Sequence, residues 1–180
     1  AATLREEGDS SPADVFFAQD PASLGAIALA GLFATLPAEI LAAVPPNYSD
    51  REGRWVGISG RSRTVVYNTT SVDPADLPAD VAGFGDPAWG GRLAVAPTNG
   101  SFLAFVAAMI LLDGEQAAAG WLRAIADNAP GLYPRNSVIV TAVDGGEIDA
   151  GLVNHYYLLR LIAEQGDSAA ANHFMSGGPG

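Results

Sequence analysis

The sequence predicts an α/β protein, doubly wound around a mainly parallel sheet, on three observations. Hydrophobic residues make up 49% and charged residues 16% of the 180 positions, the composition of a packed globular chain. From Arg92 onward, short apolar or β-branched runs alternate with longer helical ones. Turn-forming Pro, Gly and Asn punctuate nearly every transition between them. Strands separated by helices call for crossovers that cover both faces of a parallel sheet.

The apolar run Ala13-Asp14-Val15-Phe16-Phe17, bounded by Ser-Pro and Gln-Asp-Pro, reads as a buried strand. A helix over 23–32, apolar nearly all round, follows it, and Pro37, Pro45 and Pro46 then break the chain into turns. Residues 55–60 and 64–68 read as extended segments joined through Arg61 and Arg63. Residues 69–91 are loop and turn, with Pro74, Pro78 and Pro87. Leu93-Ala94-Val95-Ala96 is a strand, and Pro97-Thr98-Asn99-Gly100 a turn that opens a helix over 102–112, with a second helix over 115–128. Residues 137–143 are β-branched and locally favour a strand, yet a short helix started by Asn136 or Ser137 fits the alternation better. A strand over 148–153 and a helix over 156–165 close the pattern.

Composition excludes several classes of function. The net charge is −11 and all nine basic residues are Arg, which argues against nucleic acid as a partner, because phosphate contacts need clustered cations. The absence of Cys removes disulfides, thiolate metal sites and thiol catalysis. No G-x-S-x-G elbow, no phosphate-binding G-x-x-x-x-G-K-[ST] loop and no HxH or HxxxH spacing occurs, so nothing marks an enzyme. The longest apolar stretch, 24–36, falls short of the roughly 20 residues of a membrane-spanning helix. No basic start followed by an apolar core and a small-residue cleavage site marks a signal peptide.

Three polar constellations remain. Asn154-His155-Tyr156-Tyr157 stands at the carboxyl end of a predicted strand, where open α/β sheets hold their ligands. Two phenolates there would be hard anionic donors for a hard trivalent cation, although on spacing alone aromatic packing against the sheet is the better account of such a pair. Asn99-Gly100-Ser101 and Asn136-Ser137 place N–H groups and amides at helix starts, suited either to ordinary capping or to an oxyanion. Arg61 and Arg63, two apart, share one face of an extended chain, as an exposed pair or as a bidentate neutraliser of an anion.

The ordered set of segments resembles the periplasmic ferric-ion-binding proteins, members of the type II solute-binding superfamily. The stretches are Ala13-Asp14-Val15-Phe16-Phe17, the run from Gly53 through Trp55-Val56-Gly57-Ile58-Ser59-Gly60-Arg61-Ser62-Arg63, Val95-Ala96-Pro97-Thr98-Asn99-Gly100-Ser101-Phe102, Trp121-Leu122, 133–137, and 146–149 through Asn154-His155-Tyr156-Tyr157. The resemblance implies two α/β lobes, one incomplete here. Residues 1–58 would be a partial first lobe, 59–63 a hinge crossing, 64–176 a second lobe and 177–180 a truncated return. It implies iron(III) as transported ligand, held by Tyr156 and Tyr157, with Gln19 where some members carry a Glu ligand. Phosphate or carbonate would be the synergistic anion, cradled by Asn99, Gly100 and Ser101, helped by Asn136 and Asn154 and by Arg61 or Arg63. It further implies a monomeric periplasmic or extracytoplasmic receptor, not an enzyme, serving the permease and ATPase of an ABC transporter and peripheral to the membrane through that permease or a lipid anchor. The same scaffold would otherwise take an inorganic anion or a small organic cation. A metal-assisted hydrolase would need a nucleophile beside a base, which the sequence lacks.

Overall fold

A computed structural model describes residues 1–18 and 21–176. The chain divides into two compact units, Ala1–Gly60 and Arg61–Gly180.

Among the described residues the first unit holds three α-helices, α1 (Ala2–Glu7), α2 (Pro21–Leu29) and α3 (Ala38–Leu41). Only Ile27 and Ala28 of α2 are buried. The strand expected over 13–17 is not formed, and Val15 and Phe17 are 84% and 67% exposed. Strand conformation needs a neighbour to take up its N–H and C=O groups, and none lies beside this run among the described residues. The extended segment expected over 55–60 is likewise reduced to one isolated bridge, Ser49 to Val56. Arg54 fastens the loop before it, with Nε 2.7 Å from Asp50 Oδ2 and Nη1 donating to the Ala28 carbonyl at 3.1 Å.

The second unit is built on one five-stranded sheet of β1 (Arg63–Asn68), β2 (Leu93–Val95), β3 (Gly131–Leu132), β4 (Ala150–Asn154) and β5 (Ala170–His173). The order is β3-β2-β4-β1-β5. β2 pairs in parallel with β3 and β4, whereas β1 pairs antiparallel with β4 and β5. Four strands therefore share one direction, and β1 is inserted against them. The expected rhythm missed this because no helix connects β1 to β2. The intervening chain is a series of single 3₁₀ turns, three of them capped by the carboxylates of Asp73, Asp80 and Asp86. β3 and β5 are the two edge strands; β3 is only two residues long, and the AANH run of β5 has no β-branched or large apolar residue to mark a strand.

Helices α4 (Gly100–Asp113) and α5 (Glu115–Asp127) cover one face, and α6 (Asn136–Asp144) and α7 (Tyr156–Gln165) the other. Strand alternation sorts the cores. Val65, Tyr67, Leu93, Val95 and Leu152 meet Phe102, Phe105, Trp121 and Phe84. Val66, Ala94 and Val153 meet Ile139, Val140, Val143 and Leu158. Residues 137–143 are helical despite their branching, because Ile139, Val140 and Val143 fall on one helical face that the sheet buries. Trp121, deep in the first core, satisfies its Nε1–H on the Val81 carbonyl at 2.9 Å.

Asp144, the last residue of α6, secures the turn leading into β5. Its Oδ1 accepts the Ser168 hydroxyl at 2.6 Å and the Ala169 N–H at 2.8 Å. The Ser168 bond is the main reason that its carboxyl is held below the usual carboxylate range. A depressed folded-state value means stability that is present above about pH 4, the unfolded value, and lost as pH falls through the folded one. Asp144→Asn is expected to melt below wild type at pH 6, with the gap closing below about pH 4. A gap independent of pH would show that the charge plays no part.

Candidate anion and metal site

Antiparallel insertion of β1 builds the site. Arg63, its first residue, pairs with Asn154, the last of β4, so a strand start and a strand end meet. On that same end of the sheet the chain leaves β2 into α4 and leaves β4 into α7. Arg63 and Leu152 project to the α4 side, and Arg63 Cζ lies 5.8 Å from the Phe102 ring centroid and 6.0 Å from that of Phe105.

Arg63 is 6% exposed. Its Nη1 donates to Ser101 Oγ at 3.1 Å, Asn154 Oδ1 at 3.4 Å and Asn136 Oδ1 at 3.5 Å, and its Nη2 to the Leu152 carbonyl at 2.7 Å. Every one of these acceptors is neutral. Nε is buried with no acceptor, and no ion pair among the described residues involves Arg63. Burial pulls the guanidinium down to about 10, opposed by the nearby Tyr157 and Tyr156, so it remains charged at neutral pH.

The helix starts divide their roles. Asn99 is a cap, its Oδ1 accepting the Ser101 N–H at 3.0 Å and the Ser101 hydroxyl at 2.6 Å. Gly100 is the first residue of α4 and is exposed. Asn136 is not a cap: the cap position of α6 is Arg135, without a capping bond, and the fully buried Asn136 instead donates Nδ2 to Ser101 Oγ at 3.1 Å. Arg61 does not share a face with Arg63. It lies outside β1, exposed, with Cζ 5.8 Å from the Tyr156 ring centroid. An arginine pair on one strand face is thereby corrected, because the strand begins only at the second of the two.

Tyr156 and Tyr157 open α7 with their rings stacked, centroids 4.4 Å apart and planes 30° from parallel. Adjacent helical side chains would diverge by about 100°, so the stacking reflects their place on the first turn, just after the strand. A hydrogen bond with Tyr156 raises the Tyr157 phenol first of all, burial and the second phenol add to it, and Arg61 and Arg63 draw it back. His155, before them, is a satisfied structural histidine. Its Nδ1 accepts the Ser62 N–H at 3.2 Å and its carbonyl accepts Asn172 Nδ2 at 2.8 Å. Ser62 and Asn172, which hold the start of α7 to β1 and β5, carried no signal in sequence. Gln19 lies outside the described residues. Among those residues no group of three His, Asp or Glu side chains is disposed to hold a metal.

One sheet end thus gathers Arg61, Arg63, Ser101, Asn136, Asn154 and the tyrosine pair, with Asn99 and Gly100 attached through α4. A sheet end at which helix starts and neutral amides surround a buried cation is suited to receiving a small anionic solute. The chain belongs to the bacterial extracellular solute-binding protein family, whose profile matches residues 10–175. That family comprises binding proteins rather than enzymes. The chain is 40% identical over 154 residues to the Fe(3+)-binding periplasmic protein of Serratia marcescens, covering 86% of this chain and 45% of that one. It is 39% identical over 173 residues to the major ferric iron-binding protein of Neisseria meningitidis, covering 92% and 50%. Iron-bound HitA from Pseudomonas aeruginosa has a TM-score of 0.93 at 38% identity, covering 99% of this chain and 58% of that one. A Trichodesmium protein (IdiA, FutA) in complex with iron and citrate gives 0.85 at 28%, covering 96% and 57%. The chain spans about half the length of the relatives it matches. The resemblance to ferric-ion-binding proteins, and the type II α/β fold it implied, are borne out.

Proposed function

We propose that this chain is part of an extracytoplasmic receptor that captures iron(III) with a synergistic oxyanion, phosphate or carbonate, and delivers it to the permease and ATPase of an ABC importer. The receptor acts as a monomer, meets the membrane through the permease or a lipid anchor, and binds no nucleic acid. Residues 1–58 belong to a first lobe, 59–63 to the hinge crossing and 64–176 to a second lobe, while the return expected over 177–180 lies outside the described residues.

The observation that carries this reading is the stacked Tyr156–Tyr157 pair beside a buried, uncompensated Arg63. Two phenolates offset two of the three metal charges, and an oxyanion at the starts of α4 and α6 supplies the remainder. Free phenols titrate near 10 and Tyr157 is raised further by its hydrogen bond with Tyr156, so the cation itself must drive off the protons. The names of the relatives, proteins that bind ferric iron, support the choice of metal.

The test is a ferric titration from a citrate carrier, following the visible phenolate-to-iron charge-transfer band with and without phosphate or bicarbonate. A saturating band that strengthens with one of the anions is expected. No band under any condition overturns the iron reading and leaves the cradle as a site for an anion alone.

A further inference from the structure

A single residue, His155, separates β4 from α7, and its φ of −51° and ψ of −36° are already helical. The path of the chain at this residue therefore sets the direction in which Tyr156 and Tyr157 leave the sheet. Three bonds hold it. The His155 N–H donates to the Ser62 carbonyl at 3.1 Å, Nδ1 accepts the Ser62 N–H at 3.2 Å, and the carbonyl accepts Asn172 Nδ2 at 2.8 Å. The imidazole also meets two rings, its centroid 6.3 Å from that of Phe174 and 5.8 Å from that of Tyr156, to which it stands edge-on at 87°.

These bonds do not serve as a helix cap. His155 occupies the cap position of α7 without making a side-chain capping bond. The carbonyl at a cap position already accepts the first bond of its helix, so the Asn172 amide is not needed to satisfy it. That amide is also placed at a cost, because Asn172 Oδ1 is left buried with no donor. A polar group spent where no partner was lacking, with its other half orphaned, marks a place where geometry is being fixed. The geometry in question stands next in the chain. Adjacent helical side chains point about 100° apart, whereas the two phenol rings stack with their centroids 4.4 Å apart.

We propose that His155 and Asn172 are positioning residues of the tyrosine pair: they fasten residue 155 to Ser62 before β1 and to β5, so that both phenols converge on one cation. The cation rests on the receptor reading; the ring geometry does not.

The test reads each variant twice, by near-ultraviolet circular dichroism of the iron-free chain for the stacked rings and by the ferric charge-transfer band for the site. Asn172→Leu keeps the bulk and removes both the donated bond and the orphaned oxygen. It is expected to melt close to wild type, to lose the near-ultraviolet signal that Tyr156→Phe also removes, and to bind ferric iron roughly 10–100-fold more weakly with a displaced band. His155→Leu is expected to do the same to signal and band. His155→Asn, whose Oδ1 can take the place of Nδ1, is expected to recover most of the affinity and the band position. Should Asn172→Leu fail to fold, Asn172→Ser removes the same bond with a shorter side chain. Affinity and band unchanged at either position, or His155→Asn no better than His155→Leu, overturns the proposal and leaves the receptor reading standing. A wild type without a band overturns the receptor reading instead. The near-ultraviolet signal of the same variants then decides the positioning by itself, which stands if the signal is lost and falls if it is kept.

Discussion

Tyr156→Phe and Tyr157→Phe are each expected to abolish the saturating charge-transfer band and to lower ferric affinity by more than about 100-fold, beyond the 10–100-fold typical of losing a group that only supports a metal ligand. Each substitution deletes one anionic donor and one of the two negative charges set against a trivalent cation. Neither touches the hydrocarbon. The rings pack at 4.4 Å through their faces, and both residues are only half-buried, so the fold loses little. Melting temperatures are therefore expected to stay within the range of a neutral surface change, about 0.5 kcal/mol. That split between binding and stability separates a ligand pair from an aromatic packing pair. Equal iron binding with a lowered melting temperature would assign the tyrosines to packing and sink the metal reading.

Much of the second unit was legible in sequence, and its physical basis explains the rest. The helices over 102–112, 115–128 and 156–165 emerged within a few residues of their observed ends, since each has a strong stop or start, such as the Asn99 cap and the left-handed Gly166. What sequence spacing could not supply was direction. Arg61 and Arg63 look equivalent in a linear reading, but only the antiparallel pairing of Arg63 with Asn154 buries one and leaves the other exposed. Asn99 and Asn136 likewise look like two caps. Asn99 is one, whereas Asn136 serves Arg63 and Ser101 because Arg135 occupies the cap position. The run over 13–17 failed for a different reason: its apolar residues fit a strand, but a strand is a property of a pair.

Gly151→Val is expected to destabilise the second unit by about 3 kcal/mol or more, at the upper end of overpacking penalties. Gly151 is the second residue of β4, paired with Val66 on one side and Ala94 on the other. A Cβ there would stand 2.2 Å from Ile139 Cγ2, so that Ile139, fully buried in the core, would have to shift, and Ala94 Cβ would lie at 3.4 Å. Glycine at this position is what lets α6 settle directly on the sheet. Ile139 is three residues into the helix from Asn136, so lifting one turn of α6 also lifts the amide that meets Arg63 and Ser101. The variant should therefore lose anion response along with thermal stability, although residue 151 carries no polar side chain and touches no ligand donor. Denaturant melts and the anion titration, read together, check this. Lost stability with an unchanged anion response would mean that α6 moves as a rigid body about its first residue, leaving the cradle intact. Loss of both would tie the geometry of the site to a single absent methyl group in the core.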